Sequence, residues 1–261
     1  MKNFFLLILI ISNFIFIFIQ FKKKIKNIFY KKKLIETDVN EIHNIFKTVK
    51  IDEIIQAPKK EAIIKSFSIS AENKIVGMTS DYEAWIIGCI SKVSKNIFEF
   101  GTCSGKTTYI MALNSSIDSK IITLTLGPNE AKDLRIDNAD NKVSYRNIIN
   151  ESIYKNFLFS GTEEGNKIEV IFKNSLKFDE KIYEKTFDLI FIDGGHTYSI
   201  VKNDSEKAFK MIRKNGIILW HDYNVGKTSS KDVVKYINQV SENRKIKKIK
   251  NTSLCFYKEE G

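Results

Sequence analysis

The sequence predicts an α/β fold with a doubly wound, mostly parallel sheet, an antiparallel C-terminal strand pair and an N-terminal transmembrane helix. Three observations carry this. Short apolar runs alternate with helical segments from residue 96 onward, as buried parallel strands and their crossovers do. Two of the runs end abruptly in polar residues, Asp193-Gly194-Gly195-His196 and His221-Asp222-Tyr223, at strand carboxyl ends where open α/β sheets bind ligands. The segment from Asn3 to Phe21 holds 19 uncharged residues, mostly Phe, Ile and Leu, close to the roughly 20 that span a bilayer.

The expected anchor is residues 1–33. It lacks the small-residue cleavage site of a signal peptide. Seven lysines between Lys22 and Lys33 follow the apolar run, which orients the rest of the chain to the cytoplasmic side and sets the lysines against anionic headgroups. The expectation is a single-pass protein of the cell membrane. Residues 34–78 read as a helical connector, with Ile42, Ile45, Phe46 and Val49 at helical spacing and Pro58 interrupting.

The globular domain is expected over 79–261. Ser80-Asp81-Tyr82-Glu83 has the pattern of a capping box, and Trp85, Ile86, Cys89, Ile90 and Val93 form the face of the helix behind it. Asn96 to Phe100 reads as a strand, Gly105 to Asn114 as a helix, and Ile121 to Leu126 and Ile168 to Phe172 as the next strands. The polar stretch Gly127 to Gly165 is longer than ordinary connections, so it is expected to be part helical and to cover a site. Leu189 to Ile192 and Ile217 to Trp220 are strands joined by a helix whose face is Val201, Ala208, Met211 and Ile212. Lys210, Arg213 and Lys214 fall in its last turn and Asn215-Gly216 is its stop. A helix over about Lys231 to Val240 and an antiparallel pair, Lys245 to Lys250 with Leu254 to Tyr257, complete the domain.

Charge and cysteine content exclude some classes. The net charge is +11, but Lys2 and the seven lysines up to Lys33 supply eight of it, leaving +3 for the remaining chain. That is too little for a polyanion-binding domain, and no nucleic acid is expected. Lys245, Lys247, Lys248 and Lys250 alternate with Ile246 and Ile249 as on a solvated strand edge. The three cysteines are scattered, without disulfide or metal-ligand spacing.

Glu99-Phe100-Gly101-Thr102-Cys103-Ser104-Gly105-Lys106-Thr107 joins the first strand of the domain to its next helix, and two readings compete for it. A phosphate loop needs four residues between glycine and Gly-Lys-Thr, whereas three separate Gly101 from Gly105. The other reading is a nucleoside-binding loop: Glu99, Gly101 and Gly105 match an acidic residue followed by G-x-x-x-G. In this the chain resembles the class I S-adenosylmethionine-dependent methyltransferases. With IDGGHTY and WHDY, it is similar to a bacterial subgroup of metal-assisted O-methyltransferases and sugar-modifying methyltransferases, over about Ser80 to Tyr257.

The resemblance implies a Rossmann-like methyltransferase fold and an enzyme that methylates a hydroxyl. The acceptor would be a sugar or another small or lipid-linked molecule at the cytoplasmic membrane face. S-adenosylmethionine would be bound by Glu99, Gly101, Thr102, Ser104 and Gly105, by Thr125 at the end of the second strand, by Ser175 beside Asn174, and by Asp193. The family usually has an acid where this sequence has Thr125, and a threonine lacks the charge assistance of a carboxylate. Asp193 and Asp222 would hold Mg²⁺, and His196 or His221 would act as general base alongside Asp193. A catalytically inactive, membrane-tethered scaffold and a phosphate-loop nucleotide-binding protein are the alternatives.

Overall fold

In a computed structural model the described residues are 15–18, 20, 34–46, 63–67, 79–131, 134–135, 137–138 and 140–260. The strands are β1 Ile35–Thr37, β2 Asn96–Phe100, β3 Lys120–Thr125, β4 Ile168–Phe172, β5 Phe187–Ile192, β6 Ile212–Trp220, β7 Lys247–Ile249 and β8 Cys255–Lys258. The helices are α1 Val39–Phe46, α2 Asp81–Ser91, α3 Lys106–Asn114, α4 Pro128–Ala131, α5 Lys142–Glu151, α6 Tyr198–Met211 and α7 Lys231–Val240. The strands form one sheet in the order β1-β7-β8-β6-β5-β2-β3-β4. β8 is antiparallel to β6 and β7, and the other neighbours run parallel. The order reverses between β2 and β5, where the chain leaves one half of the sheet for the other.

Strand alternation sorts the core into two layers. Ile97, Ile121, Leu189, Phe191 and Leu219 face one side, where Ile86, Ile87 and Ile90 of α2 and Met111 of α3 cover them. Phe98, Phe100, Ile190, Ile192 and Trp220 face the other, under Val201, Ala208 and Met211 of α6 and Val233 and Ile237 of α7. Each buried Val, Ile, Leu, Met or Phe among these contributes roughly 1.5–3 kcal/mol of transfer free energy. β5 is buried along its whole length, its apolar run from Leu189 to Ile192 included.

Among the described residues no helix is long and apolar enough to cross a membrane. This corrects the expected transmembrane helix, because a span needs about 20 consecutive apolar helical residues. Of the segment 3–21 only residues 15–18 and 20 are described, as helix. The remainder of that segment and the lysine run behind it lie outside the described residues. The single-pass localisation with a cytoplasmic domain rested on that helix and is corrected with it.

Three further differences are local. Residues 34–46, within the expected connector, supply β1 and α1, and Ile42 is fully buried in the core layer of α2 and α3; Val49 and Pro58 lie outside the described residues. β7 is therefore not an edge: β1 pairs with it, Lys248 Nζ lies 3.3 Å from Glu36 Oε1, and Lys247 pairs with Glu41. Lastly, α6 ends at Met211. Arg213, Lys214 and Asn215 belong to an extension of β6 whose register against β5 shifts, with Asn215 at φ 64° and Arg213 paired to Asp188. The ion pair draws Arg213 to β5 and away from the helix end.

Candidate active site

The carboxyl ends of four strands are tied together beyond the sheet ladder. Gly101 N–H donates to Leu124 O at 2.9 Å, Asp193 N–H to Phe100 O at 2.9 Å, and His221 N–H to Ile192 O at 3.1 Å. Gly101 has φ 100°, and a Cβ there would lie 2.2 Å from the carbonyl oxygen of Asp193, so only glycine allows β2 and β5 to approach this closely. Beside this junction lies a cleft that the ends of β2, β3 and β5 line. Its floor is Phe100, Gly101, Asp193 and Gly194, and Thr125, Asn174 and Ser175 line it after β3 and β4. Ile148 and Glu151 of α5 and Leu134 cover it from the β3–β4 segment.

At one end of the cleft two aspartates and two histidines interlock. His196 Nε2 lies 3.4 Å from Asp193 Oδ1 and 3.2 Å from Asp222 Oδ2. His221 Nδ1 lies 3.1 Å from Asp193 Oδ1 and 3.4 Å from Asp222 Oδ2, while its Nε2 is 3.4 Å from Glu83 Oε2. Asp222 reaches this position with φ 59°, a left-handed conformation that asparagine and aspartate tolerate best. Its other oxygen faces Ser230 Oγ at 3.3 Å and Lys227 Nζ at 3.4 Å.

The charges follow from this packing. Burial opposes charge on His221, but Asp193, Asp222 and Glu83 overcome it and hold its pKa well above the ordinary value. His196 is raised in the same way, against burial, by Asp193 and Asp222. Asp193 and Asp222 are held below the ordinary carboxylate range despite burial, because both histidines face them. Asp193, His196 and Asp222 each offer a ligand-capable atom, and these atoms lie within 4.8 Å of one another.

Residues 98–223 match a family model described as a methyltransferase domain. The matched region is a methyltransferase domain. Among solved structures the chain is similar to a Klebsiella pneumoniae protein assigned as an O-methyltransferase, at 14% identity over 71% of this chain and 83% of that one, TM-score 0.50. A Staphylococcus aureus protein assigned as a caffeoyl-CoA O-methyltransferase matches at 15% identity over 73% and 88%, TM-score 0.50. A Bacillus cereus O-methyltransferase in complex with SAH matches at 16% over 72% and 86%, TM-score 0.48. At these identities the likeness is one of fold. No curated protein sequence matches this chain.

Within the methyltransferase domain the expected site residues separate into two groups. Gly101, Thr125, Ser175 and Asp193 line the cleft, and Asp193, His196, His221 and Asp222 are brought together at its end. Glu99, Thr102, Ser104 and Gly105 do not line it. Glu99 is fully buried beneath the loop, its Oε2 accepting from Thr123 Oγ1 at 2.6 Å and from Thr108 on α3. Its residue number explains this: Glu99 shares strand parity with Ile97, on the α2–α3 side, whereas Phe100 ends the strand at the cleft. Burial pushes the Glu99 carboxyl up to about 8. Thr102 bonds Thr123 at 2.6 Å, and Gly105 caps α3 at φ 83° against Phe159.

Lys106, the residue a phosphate loop would aim at phosphates, is 4% exposed and donates to Thr79 O at 2.8 Å, away from the cleft. Sequence reasoning missed Glu83, Cys103, Glu151 and Asp204. The last three line the cleft, and Glu83 holds His221 from behind. Only Glu83 left a signal, and it was read as a helix cap.

Proposed function

We propose that the enzyme transfers a methyl group from S-adenosylmethionine to a hydroxyl of a small, polar acceptor of the sugar class. The observation that carries this is the Asp193–His196–Asp222 cluster at the end of the cleft, where acidic and imidazole groups meet. The cleft suits the cofactor: apolar Leu124, Leu126 and Ile200 offer surfaces for a base, and Thr125, Asn174 and Ser175 offer polar groups for a ribose. S-adenosylmethionine supplies a methyl on a positively charged sulfur. Thr125 would hydrogen-bond one ribose hydroxyl, Gly101 would let the methionine half approach the loop, and Asp193 would stand where cofactor and acceptor meet.

The cluster also suits a divalent cation, with two carboxylate oxygens and one imidazole nitrogen as donors. A nitrogen donor favours Mn²⁺, Fe²⁺ or Zn²⁺ over Mg²⁺, which prefers oxygen alone. Such an ion would lower the pKa of an acceptor hydroxyl and orient it. His196 would be the third ligand, beside the Asp193 and Asp222 that the sequence offers. His221 takes a different part from the general base the sequence offered. Both its nitrogens face carboxylates, so it acts as a fixed cation that keeps Asp193 and Asp222 ionised and in place. His196, three residues beyond Asp193 and facing the cluster, either ligates the ion or, in its absence, takes the proton of the attacking hydroxyl.

The test is methyl transfer by the full-length protein, with labelled S-adenosylmethionine and a panel of sugar nucleotides, sugars and catechols. Label entering a base-stable ether on a sugar supports the reading. Transfer to nitrogen acceptors alone opposes it.

A further inference from the structure

Glu151 is the one carboxylate that α5 turns into the cleft, and the chemistry above leaves it unused. It is the last residue of that helix, where the free carbonyls carry partial negative charge and an acid is disfavoured. Among the described residues its carboxylate makes no hydrogen bond. Asp193 and Asp222 repel it, and the one attraction comes from His196, which is already shared between those two aspartates.

Its position is built. Asn141, the cap of α5, donates its N–H to Asp232 Oδ2 at 3.0 Å and its side-chain amide to Thr228 O at 2.7 Å. Ser144 Oγ donates to Ser229 O at 2.9 Å. α5 is thereby fixed to the loop before α7. Glu151 lines the cleft together with Gly101 and Cys103 of the glycine loop and with Asp193. Under the cofactor reading above, that is where the methionine half and its transferable methyl sit.

Burial, with Asp193 and Asp222 nearby, pushes the Glu151 carboxyl up to about 7, so its charge is costly until a ligand brings positive charge. We propose that Glu151 faces the sulfonium of S-adenosylmethionine and so distinguishes the charged cofactor from its neutral product. During transfer the bond from sulfur to methyl breaks, its electron pair stays on sulfur, and the new bond forms to the acceptor oxygen, whose proton leaves to a base. The positive charge disappears from sulfur at that moment, and with it the attraction to Glu151. The residue thus favours binding of cofactor and release of product.

The inference rests on the cofactor reading, and calorimetry on the full-length protein separates the two. Wild type should bind S-adenosylmethionine more tightly than S-adenosylhomocysteine. Glu151→Gln should lose at least about tenfold in affinity for S-adenosylmethionine and change little for S-adenosylhomocysteine, which has the same ammonium, ribose and base. Glu151→Asp, which keeps the charge, should retain part of the preference. Equal loss for both ligands, or no loss for either, would overturn the assignment. Wild type binding neither ligand would overturn the cofactor reading itself. Thermal unfolding of both variants alongside wild type confirms that the comparison is between folded proteins.

Discussion

His221 Nε2 lies 3.4 Å from Glu83 Oε2, and Glu83 is also the residue that closes the capping box of α2. One carboxylate therefore serves the helix start, the β6 loop and the turn before β8. Its Oε2 accepts from Ser80 N–H at 3.1 Å and Ser80 Oγ at 2.7 Å, and its Oε1 from Ser253 N–H at 2.6 Å and Ser253 Oγ at 2.8 Å. Burial opposes its charge, but His221 and these donors hold it well below the ordinary carboxylate range.

Glu83→Ala is expected to destabilise the fold by about 3–5 kcal/mol, since it strands a buried imidazolium and removes a helix cap. Glu83→Gln should cost less, because an amide oxygen still accepts from Ser253 or Ser80. Urea unfolding of the three proteins checks the order. A loss no larger than about 1 kcal/mol for the alanine variant, the size of a cap alone, would mean His221 gains nothing from Glu83.

Glu99 sets a pH dependence of known sign. Burial raises its folded pKa to about 8 from an ordinary 4.5, so between these values the folded state holds a proton that the unfolded chain releases. Its contribution to stability is full below about pH 4.5 and is lost as pH rises through 8. The difference in unfolding free energy between wild type and Glu99→Gln should therefore shift against wild type on going from pH 5 to pH 8.5. A constant difference over that range would show that Glu99 is ionised throughout.

Two glycines with the same φ of 100° should behave differently. A Cβ on Gly101 meets the Asp193 backbone at 2.2 Å, whereas one on Gly226 meets nothing within 4 Å. Gly226→Ala should cost only backbone strain, about 1–3 kcal/mol, with ligand affinity unchanged. Gly101→Ala should force β2 and β5 apart at the cleft floor and abolish cofactor binding in whatever fraction folds. Comparable cofactor affinity in both variants would contradict the close approach.

Metal preference tests the role given to His196. Mn²⁺ should bind the wild-type protein more tightly than Mg²⁺, and His196→Ala should remove most of that preference. Paramagnetic resonance of bound Mn²⁺ during Mg²⁺ titration reads this without turnover. Asp222→Asn should weaken both ions and reduce turnover strongly, while leaving S-adenosylmethionine binding nearly intact. A variant with full turnover in the presence of EDTA would remove the ion from the mechanism.

Much of this arrangement is legible in the chain itself, because the signals are local. An apolar run ending in Asp193 or His221 is a buried strand with a polar tip, and Ser80 with Glu83 is a helix start. The structure moves Glu99 away from the cleft because a strand's alternation decides its face, and the glycine motif conceals that alternation. β1 escaped notice because three residues beside a lysine run carry no period. Asn215-Gly216 has the composition of a helix stop, yet Arg213 pairs with Asp188 on β5 and the chain is already extended by Ile212. Glu151 and the Glu83–His221 contact span 45 and 138 residues or join segments that are polar throughout, and long-range pairing of that kind leaves no trace in spacing.

The central claim is that the cleft between the β2 loop and α5 holds S-adenosylmethionine, and calorimetric titration of the full-length protein tests it most directly. The account predicts saturable one-to-one binding of S-adenosylmethionine, abolished by Gly101→Ala, with no heat from ATP and Mg²⁺ because Lys106 is committed to Thr79. Tight ATP binding without response to S-adenosylmethionine would contradict it.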